Sequence, residues 1–129
     1  MNRLLFITAT ILGLLSVALG AFAAHGLKDL ISIEAQQTFD TGVRYQMYHA
    51  LLLLCIGSTA LISEKIKKIA LYLVLFGVLL FSGSIYGLAT NSLTNFDFKT
   101  IGFVTPIGGL LLISSWGLLL LHFFKMKAK

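Results

Sequence analysis

Charged residues are scarce in this chain of 129 residues: 12% of the positions are Asp, Glu, Lys or Arg, whereas 57% are hydrophobic. An average soluble domain carries about a quarter of charged residues, which cover its surface. The mean hydropathy of +0.92 is therefore too high for an ordinary soluble enzyme or a disordered segment. The composition predicts an all-α integral membrane protein, with residues 1–129 forming a single domain.

Cysteine and membrane-embedded acidic residues are also lacking. The single cysteine, Cys55, cannot form a disulfide within the chain, which excludes a disulfide-rich scaffold. All five Asp and Glu residues lie outside the long apolar runs, where a proton-coupled transporter usually needs a carboxylate. No catalytic or phosphate-binding motif is present, and His25 with His49 would make only an incomplete metal site. We therefore expect no enzymatic activity, no metal and no cofactor.

Four apolar runs are long enough to cross a membrane as helices. We predict spans over approximately residues 4–24, 43–63, 69–90 and 101–124, packed as a four-helix bundle. The first run would also suit a cleaved signal peptide, but its length favours a retained span. The fourth run has two alternative starts, which the sequence does not separate. Either Thr105 caps the helix with Pro106 as its first residue, or the helix begins near Thr100 and kinks at Pro106.

The connection between the first two runs is longer than the other connections. Its apolar residues recur at helical spacing, Ser32 suits an N-cap, and Glu34 would lie in the first turn. These features predict a short interfacial helix over 27–41 that lies on the membrane surface.

Positive charge is concentrated on one side of the predicted bundle. Four spans place both termini on the same side, and that side holds seven Lys and Arg residues against three on the other. Six of the seven are lysines, grouped at 65–68 and 125–129, just outside apolar runs. The distribution predicts a multi-pass protein of the cell membrane with both termini in the cytoplasm. It also favours membrane lipids over nucleic acid as partners.

The polar residues of the predicted spans gather towards the opposite, outer side. The second span carries four of them, Arg44, Tyr45, Tyr48 and His49. At 100° per residue, these four fall within an arc of about 140°. A charge that faces lipid costs a few kcal/mol, so we expect this face to point into the bundle. The candidate binding or polar cluster comprises His25, Arg44, Tyr45, Tyr48, His49, Ser82, Tyr86 and Thr105.

Each member of this cluster also has a structural interpretation. Arg44 could extend to the outer headgroups or pair with Asp40 one turn earlier. His49 could be a neutral histidine that is hydrogen-bonded to a tyrosine or serine, rather than a ligand-binding or proton-transferring group.

Small residues at helical spacing indicate close helix packing. A GxxxG pattern occurs at 83–87, and the candidate packing residues are Gly20, Gly83, Gly87, Gly108 and Gly109. Packing within the chain is the favoured use, and homo-oligomerisation or packing against another membrane protein is the alternative.

Four stretches of the sequence resemble a known family. They are Gly20-Ala-Phe-Ala-Ala-His-Gly-Leu27, Thr41-Gly-Val-Arg-Tyr-Gln-Met-Tyr-His-Ala50, Phe81-Ser-Gly-Ser-Ile-Tyr86 and Thr105-Pro-Ile-Gly-Gly109. The chain resembles the small four-span membrane proteins of unknown function that include staphylococcal membrane stabilizing protein A and animal transmembrane protein 256. The resemblance implies a four-helix membrane protein with no established reaction, and for the staphylococcal member a role in membrane integrity.

Two functional hypotheses follow from the sequence. The first is a non-enzymatic membrane protein that supports membrane or envelope integrity. The second is a protein that binds or transports a small ligand, lipid or ion near Arg44, Tyr45 and His49.

Overall fold

The computed structural model describes residues 1–127, and Lys129 of the predicted C-terminal lysine group lies outside them. Within this part of the chain the fold is all-helical. Four α-helices are connected by turns and by two short 3₁₀ segments, Asn91–Leu93 and Phe98–Ile101. The four helices are α1 (Asn2–His25), α2 (Ile33–Ser58), α3 (Glu64–Ala89) and α4 (Val104–Phe124).

Three of the helices are long and apolar enough to cross a membrane. These are α1, α3 and α4, which confirms the membrane character of the chain. The second helix is as long as α3, with 26 residues, but the polar side chains of its N-terminal half lower its hydropathy. By length and composition, therefore, three of the four predicted spans are found.

The second helix differs from its prediction at both ends. We expected a span over 43–63 that is preceded by a separate interfacial helix over 27–41. Ser32 does cap a helix, since its side chain accepts a hydrogen bond from the amide of Ala35 at 3.1 Å. That helix continues without a break to Ser58. Gly42 lies within it and does not have the positive φ angle that would end a helix. The separate interfacial helix was therefore an incorrect prediction.

The third helix begins at a side-chain cap, whereas the fourth has none. Ser63 caps α3, so the charged residues at 64–68 belong to the helix and not to the loop. Neither alternative for the fourth span is correct as stated, since α4 begins at Val104 and Pro106 is its third residue. The first four amides of a helix have no intrahelical partner, so proline at this position removes no hydrogen bond.

The helices pack in chain order: α1 against α2, α2 against α3, and α3 against α4. One apolar core runs along these contacts and includes Leu5, Leu53, Leu71, Val74 and Leu112. The predicted four-helix bundle is not confirmed as such, because α3 makes the main contacts with both α2 and α4. A groove consequently runs between α2 and α4, and side chains from both helices line it.

Candidate functional site

The buried face of α2 differs from the face that the sequence predicted. The residues that turn inwards are Phe39, Gly42, Gln46, His49 and Leu53, spaced by three or four positions as in any packed helix. Arg44, Tyr45 and Tyr48 lie on the exposed side. Of the four residues predicted to face inwards, only His49 does so.

Gln46 is the centre of the buried polar contacts. Only 4% of its surface is exposed, so its amide needs partners within the protein. Its Nε2 donates to the backbone oxygen of Leu12 on α1 at 2.8 Å. Its Oε1 accepts from the hydroxyl of Tyr86 on α3 at 2.6 Å. One side chain therefore connects three helices.

His49 makes the corresponding connection to α4. The indole of Trp116 can only donate, and its Nε1 lies 3.1 Å from His49 Nε2, so that ring nitrogen is an acceptor. The proton is then on Nδ1, which donates to the backbone oxygen of Tyr45 at 2.7 Å. Both ring nitrogens are occupied, and the hydrogen bonds indicate a neutral imidazole. The partners differ from the tyrosine or serine that we expected.

Two serines make further hydrogen bonds between the helices. The hydroxyl of Ser82, on α3, donates to the backbone oxygen of Gly42 on α2 at 2.8 Å. Ser84, also on α3, shares a short hydrogen bond with the hydroxyl of Thr105 on α4. We refer to Gln46, His49, Ser82, Ser84, Tyr86, Thr105 and Trp116 as the polar network. Within residues 1–127, every buried side-chain nitrogen or oxygen has a hydrogen-bond partner.

The remaining predicted site residues lie apart from this network. Arg44 is exposed, and its guanidinium donates to the hydroxyl of Thr41 at 3.2 Å rather than to Asp40. Tyr48 is 53% exposed and packs against the ring of Tyr45, with ring centroids 5.6 Å apart. His25 is the exposed last residue of α1.

His49 lies well inside the long second helix, farther from a helix end than predicted. We placed His49 in the outer third of its span because that span was taken to begin at Val43. Since α2 ends at Ser58, a rise of 1.5 Å per residue puts His49 about 13 Å from that end. Leu12 lies near the middle of α1 as well.

The candidate packing glycines have different surroundings. A Cβ at Gly108 would overlap the backbone of Phe81, so this glycine permits the close approach of α3 and α4. Gly20 and Gly109 make ordinary contacts with Val43 and Phe81, while Gly87 is covered by the ring of Phe98. A Cβ at Gly83 would meet no atom within 4 Å, so the prediction that Gly83 packs within the chain was wrong.

A small groove lies beside the network, between α2 and α4. It has a volume of about 300 Å³, and its walls include Tyr45, His49, Phe81 and Trp116. Among the described residues, no three His, Cys, Asp or Glu side chains are close enough to hold a metal ion. The groove could therefore accept an apolar group through aromatic contacts, but its histidine already has two hydrogen-bond partners.

Comparison with known proteins identifies the family. The profile described as "Protein of unknown function (DUF423)" matches residues 19–109. The chain belongs to the DUF423 family. This result confirms the resemblance inferred from the sequence motifs.

Curated relatives of this DUF423 protein carry the name UPF0382. A UPF0382 membrane protein of Haemophilus influenzae is 40% identical over 116 residues, which cover 90% of each chain. The UPF0382 membrane protein SH2409 of Staphylococcus haemolyticus is 37% identical over 95% of this chain and 97% of its own. The UPF0382 inner membrane protein YgdD of Escherichia coli is 36% identical over 99% and 95%. No solved structure matches the chain.

The cluster predicted from the sequence lacks three members of the polar network in this DUF423 protein, Gln46, Ser84 and Trp116. Gln46 follows Gly42 by four residues and precedes His49 by three, and this spacing would have placed it on the packed face. Trp116 had no comparable signal, because the sequence does not show which side of α4 faces α2.

Proposed function

We propose that this DUF423 protein is a non-enzymatic integral membrane protein that supports membrane or envelope integrity, with the polar network holding its helices in a fixed arrangement. The observation that carries the proposal is that both ring nitrogens of His49 are already hydrogen-bonded, one to Trp116 and the other to the backbone of Tyr45. With these partners, neither ring nitrogen of His49 is left to contact a ligand or to exchange a proton with one. The membrane-integrity role is also what the sequence resemblance implies.

We further propose that α2 is a fourth span and that both termini lie in the cytoplasm. One polar pocket is lined by Asn2, Ser58 and Glu64, which are close to the start of α1, the end of α2 and the start of α3. At the same end, the ring of His122 on α4 contacts the backbone oxygen of Leu61 at 2.9 Å. These contacts support an up-and-down arrangement of the four helices. In that arrangement α2 crosses the membrane, because α1 ends on one side and α3 begins on the other. The Lys and Arg distribution supports a cytoplasmic position for this end.

A double-mutant cycle tests the scaffold role. His49→Ala and Trp116→Phe should each lower the free energy of unfolding in detergent, with a shared coupling of about 0.6 kcal/mol, typical of interhelical hydrogen bonds in membranes. His25→Ala is the matched control, because His25 is exposed at the end of α1, and it should leave the unfolding free energy unchanged.

Uptake of a membrane-impermeant dye by cells that lack the gene tests the integrity role. The wild-type gene should restore dye exclusion, and His49→Ala should restore it only in proportion to the folded protein that remains. If deletion of the gene leaves dye uptake unchanged, the integrity role is wrong.

Accessibility of engineered cysteines tests the orientation. In a Cys55→Ser background, a cysteine at Asn95 should react with an impermeant thiol reagent on intact cells. A cysteine at the exposed Lys65 should react only after the cells are opened. The opposite pattern would refute cytoplasmic termini.

A binding or transport protein for a small ligand, lipid or ion is the alternative function. The groove of about 300 Å³ beside Tyr45 and His49 favours it. This alternative predicts that Ile113→Trp, which fills the groove from a 68% exposed position, abolishes activity in cells without lowering stability. The scaffold proposal predicts that both activity and stability survive this substitution.

A further inference from the structure

Lys67, at the end of the molecule where α1 and α3 begin, is a buried cation. Its side chain is only 2% exposed, whereas its neighbours Lys65 and Lys68 are exposed. Its ammonium donates to Oδ1 of Asn2 at 2.9 Å. This partner is a neutral amide, so the contact satisfies one of three N–H donors but does not neutralise the charge. Burying an ammonium is costly unless an anion is close to it.

Lys67 lines a polar pocket of about 440 Å³ that has several further donors around it. Asn2 and Glu64 are the first residues of α1 and α3. The first amides of both helices lack intrahelical partners and carry a partial positive charge. The hydroxyl of Thr59, also in the wall, accepts from the amide of Leu61 and keeps its own proton available. The pocket is therefore suited to an anion with several acceptor oxygens.

A second cavity, between α2 and α4, adjoins this pocket. It has a volume of about 470 Å³, and its walls are almost entirely apolar, with Leu52, Cys55, Leu119 and Leu120 among them. Thr59 and Ile62 belong to the walls of both cavities. A polar cavity beside a buried cation thus adjoins an apolar cavity at this end of the molecule. An anionic phospholipid has the complementary arrangement, in which a negatively charged headgroup is attached to apolar acyl chains.

We propose that these two cavities form a binding site for one anionic phospholipid of the leaflet on the Lys67 side. The lipid phosphate binds Lys67 and the helix N-termini, and one acyl chain lies in the apolar groove between α2 and α4. The surrounding charge is complementary to such a lipid. Glu64 is one negative group in the pocket wall, against Lys65, Lys67 and Lys68 on the same helix end. This site is separate from the polar network, and the proposal does not rest on the role given to the network.

Native mass spectrometry of protein reconstituted with defined lipids tests the headgroup half of the site. Wild-type protein should retain one phosphatidylglycerol per chain at collision energies that remove phosphatidylcholine. Lys67→Gln should reduce this retention at least fivefold. Lys68→Gln removes the same charge from an exposed position of the same helix and should retain phosphatidylglycerol as the wild type does. Equal retention by the two variants would overturn the proposal.

A second pair of variants tests the acyl-chain half. Leu120 is 58% exposed within the groove and Leu110 is 63% exposed on α4 outside it. Leu120→Trp should reduce phosphatidylglycerol retention severalfold, and Leu110→Trp should not. Two results with wild-type protein would refute a site for an anionic lipid even if Lys67→Gln fails to fold. These are equal retention of phosphatidylcholine, and displacement of phosphatidylglycerol by millimolar inorganic phosphate, which would indicate a soluble anion instead.

Discussion

The polar network and the Lys67 pocket show two ways in which this small protein buries polar groups. In the network, neutral groups of four helices bond to one another, and Gln46 and His49 each use both of their polar atoms. In the pocket, a single charged ammonium meets a neutral amide beside a cavity of about 440 Å³. In the polar network, the polar atoms of Gln46 and His49 are hydrogen-bonded within the protein. In the Lys67 pocket, the ammonium has N–H donors left over and lies beside an open cavity.

This difference indicates which region is structural and which is suited to binding. A buried hydrogen bond between neutral groups stabilises one helix arrangement, and the loss of either partner leaves the other unsatisfied. A buried charge without an opposite charge is instead a cost that a bound anion would offset. The sequence predicted a candidate binding or polar cluster in the first region, and it described the lysines of the second as topology signals that also favour membrane lipids. The scaffold and lipid-site proposals move the candidate binding site from the first region to the second.

The largest effect is expected at Gly108, which holds α3 and α4 together beside the Ser84–Thr105 hydrogen bond. In Gly108→Ala, the new Cβ would overlap the backbone of Phe81, so the two helices must separate. We expect a loss of about 3 kcal/mol or more, typical of severe overpacking, and little folded protein in detergent. Gly117→Ala, on the same helix with no atom within 4 Å, is the control and should fold normally. Normal folding of Gly108→Ala would show that the polar network does not need this close contact.

Sequence reasoning succeeded for features that depend on local chemistry. The apolar runs, the cap at Ser32 and the family all follow from residues that are close together in the chain. It failed to predict which face of α2 is buried, because keeping charged side chains away from lipid was given more weight than helix packing. Arg44 was turned inwards to protect its charge, although its long side chain can stay exposed, while Gln46, with a shorter amide, is buried. The bond from His49 to Trp116 joins residues 67 positions apart, and no local pattern could predict it.

Gln46→Leu tests whether the polar network is a scaffold. The substitution keeps the side-chain size but leaves the hydroxyl of Tyr86 and one acceptor site on Leu12 without their partner. We expect the free energy of unfolding in detergent to fall by about 1–3 kcal/mol. Gln37→Leu, at an exposed position of the same helix, should change it by less than about 0.5 kcal/mol. Equal stability of the two variants would remove the distinction between the network and the rest of α2.

In protein stripped of lipid, Lys67→Met should not lower the free energy of unfolding, in contrast to Gln46→Leu. Without an anion in the pocket, removing a buried charge also removes its desolvation cost. We expect a stability equal to the wild type or higher by about 1 kcal/mol, measured by unfolding in neutral detergent. Added phosphatidylglycerol should then stabilise the wild type and Lys68→Met but not Lys67→Met. A large loss of stability in lipid-free Lys67→Met would make Lys67 a structural residue like Gln46.

The smallest effect is expected at Gly83, which lies on the outer face of α3 and contacts neither the network nor the pocket. Alanine is the better helix former by about 0.5–1 kcal/mol, and a Cβ at Gly83 meets no atom within 4 Å. Gly83→Ala should therefore stabilise a monomer slightly, as Gly117→Ala should. If Gly83 instead packs against a second copy, its substitution alone will lower the dimer fraction in native mass spectra. An unchanged oligomeric state in both variants would limit the role of the GxxxG pattern at 83–87 to Gly87, which lies under the ring of Phe98.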